Sequence, residues 1–338
     1  DETLAIYVFP KEYIATAQNR REKTKRMRQA EELQTVPIEM IALLEELRIK
    51  MLEISARWHT RRFMEYLDIP RPDRQKKLPK RLPLLKDAMF YYDRSLSTKL
   101  GIKQKDGIEP REILFATQPS SGKTYLANTY TCLSLILHQI YYGESGLIRL
   151  TNTKKNATAY GSQVKSMLKN PSIAKIFPEW EKYYTAKNEV RPFKIDNQET
   201  FLLKDCNDEI QDSLFLISVG TSVNGKRAMC ATIIDDLSGG MQDMYNDELH
   251  KQQTEFVMGD IADRSDNSEE MPMIYQGTFY NEFDIQNTIF DLWTDNYDLK
   301  QIKHDNGVNI YATPDYRRVA ILIDCYNDNM ESIAPGLK

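Results

Sequence analysis

The chain has 338 residues, is 41% hydrophobic and carries a formal net charge of −4. That is enough apolar material for a sizeable core, arranged as one large domain with a smaller one or as two domains. No stretch approaches the roughly 18 consecutive apolar residues of a spanning helix, which excludes that class of membrane protein.

The opening residues Asp1-Glu2-Thr3-Leu4 lack the basic-then-apolar pattern of a signal peptide, and the missing initiator Met suggests that the chain begins inside a longer one. Charge is uneven along the chain. Residues 1–110 carry +6 and the remainder −10. A basic N-terminal third invites a nucleic-acid reading. Its two clusters, Arg20 to Arg28 and Arg57 to Arg62, are equally read as solvated helix faces. Residues 11–100 read as helical, with Leu43, Leu44, Leu47, Met51, Leu52 and Ile54 at helix-like spacing. Pro70, Pro72, Pro79 and Pro83 then punctuate a basic connector in which a helix should not persist. A further helix is expected around Lys86–Leu100, and Gly101 to Pro110 is a polar, turn-rich lead.

From residue 111 strands and helices alternate, which predicts an α/β domain: a mainly parallel sheet with helices on both faces. Strands are expected at 112–117, 147–151, 214–219, 229–235 and 272–278, and helices at 123–142, 155–169 and 241–262. The polar text of 178–212 reads as a hairpin or an excursion from the sheet. Val319 to Asp324 is a strand ending in an acid, but too little chain follows it for the further carboxylates of a two-metal nuclease. Cys132 and Cys230 lie in apolar runs and read as small buried hydrophobes; Cys206 and Cys325 complete a set with no paired spacing, so neither a disulfide framework nor a zinc site is expected. A cytosolic compartment follows.

Two stretches carry chemistry. Gln118-Pro119-Ser120-Ser121-Gly122-Lys123-Thr124 lies between a strand and a helix, the layout of a phosphate-binding loop. Main-chain N–H groups at a helix N-terminus point at an anion, and the helix dipole favours negative charge there. Lys123 is placed to reach the β/γ-phosphates of ATP, and the Thr124 hydroxyl to ligate Mg²⁺. Thr117 stands where the full pattern has glycine, and a loop with a solvated lysine is the competing reading. The second stretch, Met229 to Asp236, is a buried strand ending in two carboxylates. At the carboxyl edge of a parallel sheet these face the ligand crevice. Asp235 is placed to hold Mg²⁺ through water, and Asp236 to orient or deprotonate an attacking water. A solvated acidic turn is the competing reading there.

These stretches, in order with two others, resemble the N-terminal ATPase half of the large terminase subunit of tailed double-stranded DNA bacteriophages. The others are Arg149 to Ala157 continuing to Ile176-Phe177-Pro178, and Ile274-Tyr275-Gln276-Gly277-Thr278-Phe279-Tyr280-Asn281-Glu282-Phe283-Asp284. Gly225-Lys226-Arg227 leads into the acidic strand. The likeness covers roughly residues 111–290 and does not reach 1–105. It implies a P-loop NTPase fold of the ASCE-like kind over 106–338, ending in a linker, after a helical, basic N-terminal region (1–105), with the family's nuclease domain lying outside this chain. It also implies Lys123, Asp236, Arg227 and Thr278 in catalysis, with Thr278 coupling γ-phosphate loss to DNA movement. Residues Gln118 to Thr124 with Tyr125 would bind ATP, and Thr124 and Asp235 would hold Mg²⁺. Arg227 would act as an arginine finger on a neighbouring subunit. The implied partners are double-stranded DNA, a portal protein, a small terminase subunit and further copies in a ring, usually of five, at a procapsid in the host cytoplasm.

A helicase-like translocase shares both motifs, but needs a second recombinase-like core that the text after 290 does not offer. A nucleotide switch without turnover is compatible with the same two motifs. A structural DNA-binding protein is supported only by the basic N-terminal third.

Overall fold

The computed structural model describes residues 38–68, 72–185, 189–197, 200–206, 212–238, 245–264, 271–279, 282–325 and 329. The basic run at 20–28, Pro70, residues 241–244 of the expected helix, and Tyr280 and Asn281 lie outside the described residues.

Three helices come first: α1 (Ile38–Ala56), α2 (Thr60–Asp68) and α3 (Pro72–Lys99). Then follow β1 (Glu112–Ala116), α4 (Lys123–Tyr142), β2 (Leu147–Thr151), α5 (Lys154–Leu168), α6 (Ser172–Ile176), β3 (Phe193–Asp196), β4 (Thr200–Leu203), β5 (Leu214–Ser218) and β6 (Ala231–Asp235). The chain continues through α7 (Asp247–Glu255), β7 (Met273–Gly277), α8 (Ile285–Tyr297), β8 (Lys300–Asp305), β9 (Val308–Ala312) and β10 (Arg318–Ile323). A π-helical turn, Phe256–Ile261, extends α7.

The strands form one ten-stranded sheet in the order β3-β4-β5-β2-β6-β7-β1-β10-β9-β8. Its six central strands, β5 to β10 in that order, are parallel. Helices cover both faces, so the central strands read as continuous apolar runs rather than alternating ones. Alternation reappears in which face each residue serves. Ile113, Phe115, Ile233, Ile274 and Ile321 join the core under α4, while Leu114, Ile148, Ile234, Tyr275 and Ala320 join the core on the opposite face. One core therefore includes residues of the N-terminal helices, among them Phe63, Leu85 and Tyr92, together with the sheet. Helix α4 is caught between the sheet and those helices and is buried almost all round, from Leu126 to Gln139. It opens after Gly122 and closes at Gly143, both in the left-handed region that glycine adopts without strain. Thr153, Asn246 and Asp284 cap α5, α7 and α8 by accepting main-chain N–H groups.

Three expectations change. The basic segment after Pro70 is not a broken connector: α3 runs without interruption through Pro79 and Pro83. Each proline forfeits one main-chain hydrogen bond. The C-terminal half of the same helix buries Leu84, Leu85, Ala88, Met89, Tyr92 and Leu96, and that packing holds the helix. The 178–212 region does form a hairpin, β3–β4, but one that joins the sheet through β4 and β5. The stretch after 279 holds α8 and a second hairpin, β8–β9, neither of which is among the expected elements. On α1 the helical spacing is right, yet only Leu52 of the stripe is buried; Leu43, Met51 and Ile54 are 64%, 54% and 73% exposed.

Among the described residues, no helix is long and apolar enough to cross a membrane.

Candidate functional site

The parallel register brings the carboxyl ends of β2, β6, β7 and β1 to one line: Thr151 lies opposite Asp235, Asp235 opposite Gln276, and Gly277 opposite Ala116. The loop 117–122 rises from this edge into α4. Thr117 continues the ladder, its N–H donating to Gly277 O at 3.1 Å. Its backbone is not left-handed, so this position does not require a glycine. The left-handed residues are Gly122 (φ 102°) and Ser120 (φ 65°). A non-glycine residue held in that region marks strain that the surroundings must enforce.

Lys123 is 4% exposed and sits at the centre of the edge. Its Nζ donates to Thr278 Oγ1 at 2.8 Å and lies 3.2 Å from Asp236 Oδ2. Thr278 Oγ1 in turn donates to Thr117 O at 3.1 Å. Four predicted residues, Thr117 aside, thus converge from three elements: Lys123, Asp236 and Thr278 in contact, and Thr124 one position along α4. Asp236 turns off β6 in the left-handed region (φ 49°), its N–H donating to Gln276 O at 2.9 Å. Burial pushes its carboxyl up to about 6; Lys123 opposes the rise and Asp235 adds to it.

Asp235 is in a different environment. It is fully buried, Arg149 of β2 forms an ion pair with its Oδ2, and Gln276 Nε2 donates to its Oδ1 at 2.6 Å. Arg149 also donates to Asn128 Oδ1 on α4, and Tyr160 of α5 lies with its ring centroid 4.5 Å from the guanidinium carbon. The Tyr160 hydroxyl faces the Thr124 side chain. Gln276 accepts from Tyr92 of α3 at 3.0 Å and donates to Lys123 O at 3.3 Å. Sequence reasoning does not pick out Arg149, Gln276, Tyr92 or Tyr160 as site residues; Arg149, a lone cation in an apolar strand, is the one available signal.

The upper part of the site is left with polar groups to spare. Among the described residues, the buried Ser121 Oγ, Thr117 Oγ1, Gln118 Nε2 and Asp236 Oδ1 have no hydrogen-bond partner. Buried polar groups are ordinarily paired. Unpaired donors beside a helix N-terminus and a lysine suit an anion. Pro119 and Ser120 are exposed at the tip of the loop, and Tyr125 is half-buried against the core in the first turn of α4. Two positive and two negative charges, Lys123, Arg149, Asp235 and Asp236, balance here, so a polyanion would need further neutralisation. A hydroxyl at Thr124 beside two carboxylates suits a Mg²⁺ that keeps most of its water. Asp235, with both oxygens engaged, fits only at water-mediated range, whereas Asp236 Oδ1 has capacity left. Among the described residues no group of three or more His, Cys, Asp or Glu could hold a metal by protein ligands alone.

Arg227 is not part of this cluster. It is exposed in the loop before β6, where its neighbours Ala228 and Met229 donate to Arg264 O and Gly146 O. Gly146 precedes β2, so this is the amino edge of the sheet, separated from Asp235 by the length of β6, roughly 13 Å at ~3.3 Å per residue. In its own chain Arg227 does not meet the loop. The basic cluster at 57–62 is matched by acids: Arg57 pairs with Glu179, and Arg61 and Arg62 with Glu65.

No protein-family model matches the chain, and a search of curated proteins finds no significant match.

Proposed function

We propose that this chain is a Mg²⁺-dependent ATPase of the P-loop kind, the motor domain of a large terminase subunit that drives double-stranded DNA into a procapsid. The observation that carries the ATPase reading is the buried Lys123 at the head of α4, shared between Asp236 at the end of β6 and Thr278 at the end of β7. The strand order supports it as well. β7 lies between the loop strand β1 and the acidic strand β6, the additional-strand arrangement expected of ASCE-like folds. The assignment to a terminase rests on the four sequence stretches and their order.

The triphosphate of ATP lies along the loop, receiving N–H groups of residues 120–124 and the orphan Ser121 hydroxyl. Its γ-oxygens draw the Lys123 ammonium away from Asp236. Thr124 and Asp235 would hold Mg²⁺, which when bound would neutralise phosphate charge. Asp236, released from Lys123, turns to a water and takes its proton as the water oxygen bonds to the γ-phosphorus and the bond from that phosphorus to the β,γ-bridging oxygen breaks, leaving ADP and inorganic phosphate. Thr278 loses Lys123 to the phosphate and regains it after phosphate leaves, so β7 and the segment leading to α8 register the cycle. Arg227 acts on a neighbouring copy, with double-stranded DNA, the portal and a small terminase subunit as the assembled partners.

The test is nucleotide binding and steady-state ATP hydrolysis across protein concentrations, for the wild type, Asp236→Asn and Arg227→Ala. Expected are retained binding with turnover lost in Asp236→Asn, and a rate per subunit that rises with concentration and collapses in Arg227→Ala. A wild type that binds no ATP would end the ATPase reading; a flat, mutation-insensitive rate would end the ring reading and favour self-contained hydrolysis.

A further inference from the structure

A fully buried arginine in the middle of a parallel strand is costly, because desolvation offsets most of what its ion pair gains. Ile148 and Leu150 flank Arg149 in the core, and an apolar residue there would avoid that cost. What Arg149 touches indicates its use. Its Nη2 engages Asp235 and its Nη1 engages Asn128 of the helix that carries the loop. The Tyr160 ring lies over its guanidinium, with the Tyr160 hydroxyl facing the Thr124 side chain. The two residues proposed to hold Mg²⁺ come from different elements, β6 and α4. Each is linked to Arg149: Asp235 directly, and Thr124 through Asn128, one turn further along α4.

We infer that Arg149 is the positioning residue of the Mg²⁺ subsite, fixing the separation of Asp235 and Thr124 from beneath. This rests on the ATPase reading. Because Asp235 has one oxygen on Arg149 and the other on Gln276, it serves the metal through water, and its orientation is set by those two partners rather than by the ion. Groups behind metal ligands typically change metal affinity by about 10–100-fold when removed. A lysine at 149 keeps the charge but cannot span Asp235 and Asn128 with two N–H groups of one rigid fork.

The experiment titrates Mg²⁺ against binding of a fluorescent ATP analogue, with a parallel titration in EDTA, for the wild type, Arg149→Lys and Tyr160→Phe. Thermal melting of each variant is measured alongside. In Arg149→Lys the Mg²⁺ concentration for half-maximal binding should rise by about tenfold or more. The EDTA affinity should stay within about twofold, and Tyr160→Phe should shift the Mg²⁺ midpoint the same way by a few-fold. A folded Arg149→Lys with an unchanged Mg²⁺ midpoint overturns the inference, as does one that weakens binding equally with and without Mg²⁺. Should Arg149→Lys fail to fold, Tyr160→Phe decides alone: an unmoved midpoint overturns. A wild type that binds no nucleotide under either condition removes the ATPase reading and this inference together, a result distinct from either variant outcome.

Discussion

Asp235 and Asp236 are neighbours in sequence, yet they belong to two layers built on opposite terms. The lower layer, Asp235 with Arg149, Gln276, Asn128 and Tyr92, is buried, and both oxygens of its carboxylate are engaged, with Arg149 Nε alone among its side-chain polar atoms lacking a partner among the described residues. In the upper layer, Lys123, Asp236 and Thr278 make a small closed triangle, while Ser121, Gln118 and Thr117 keep polar atoms without partners among the described residues. A buried network satisfied at nearly every atom rigidifies what it joins; one with several open atoms is stabilised by whatever completes it. The difference teaches where to look for stability and where to look for binding, and each layer has its own way of failing.

The lower layer should break hardest. Asp235→Ala leaves Arg149 charged, buried and unpaired, a loss of about 3–5 kcal/mol that denaturant unfolding would register as a large fall in midpoint. If stability moves by less than about 1 kcal/mol, the lower layer is not the scaffold described. In the upper layer, Lys123→Ala should abolish nucleotide binding in a fluorescence titration while lowering unfolding free energy by about 2 kcal/mol, the worth of charged contacts to Thr278 and Asp236.

Acid–base behaviour separates the two carboxylates further. The folded Asp236 carboxyl is raised to about 6, so the folded protein holds its proton at pH values where the unfolded chain has released it. The stability this contributes is complete below the ordinary aspartate range and is lost as pH rises through about 6. Asp236→Asn should remove that decline, gaining on the order of 1–3 kcal/mol over wild type at pH 8 relative to pH 4. Parallel pH-stability curves for the two proteins would refute the burial account of Asp236. The smallest effect belongs to Ser121→Ala: stability within about 0.5 kcal/mol of wild type, because no bond is broken, but weaker nucleotide binding. Equal losses in both measurements would show that Ser121 has a partner in the free protein.

Much of the upper layer is legible in sequence, because each part is local. An apolar run, a short loop with Gly122 and Lys123, and a helix are contiguous, and so are the strand of Ile233 and the acids that end it. The strands and helices of the parallel core follow for the same reason. The lower layer is not legible as a site. Arg149 meets Asp235 only because β2 pairs with β6 in a register that sets Thr151 opposite Asp235, and strand order is a property of the whole sheet. Tyr92 contributes from a helix outside the family resemblance, across a sequence separation of 184 residues from Gln276. The proline-rich segment misleads for a related reason: local propensity at Pro79 and Pro83 is outweighed by the burial of Leu84 to Leu96 further along the same helix. The second hairpin does carry a local signal. Asn306-Gly307, with φ of 51° and 82°, joins β8 to β9 in a two-residue turn, and Asn-Gly between extended segments is among the strongest hairpin signals a sequence carries.

The place of Arg227 has a geometric consequence. A side chain at the amino edge of the sheet that serves a phosphate site does so at the carboxyl edge of another copy, so the two surfaces in contact are different parts of the molecule. A two-fold dimer makes such a contact twice, each copy's Arg227 at the other's site, whereas a head-to-tail association makes it once per interface. Repetition of the same rotation either closes on itself or continues indefinitely, and the angle between successive copies alone decides whether the product is a ring or a filament.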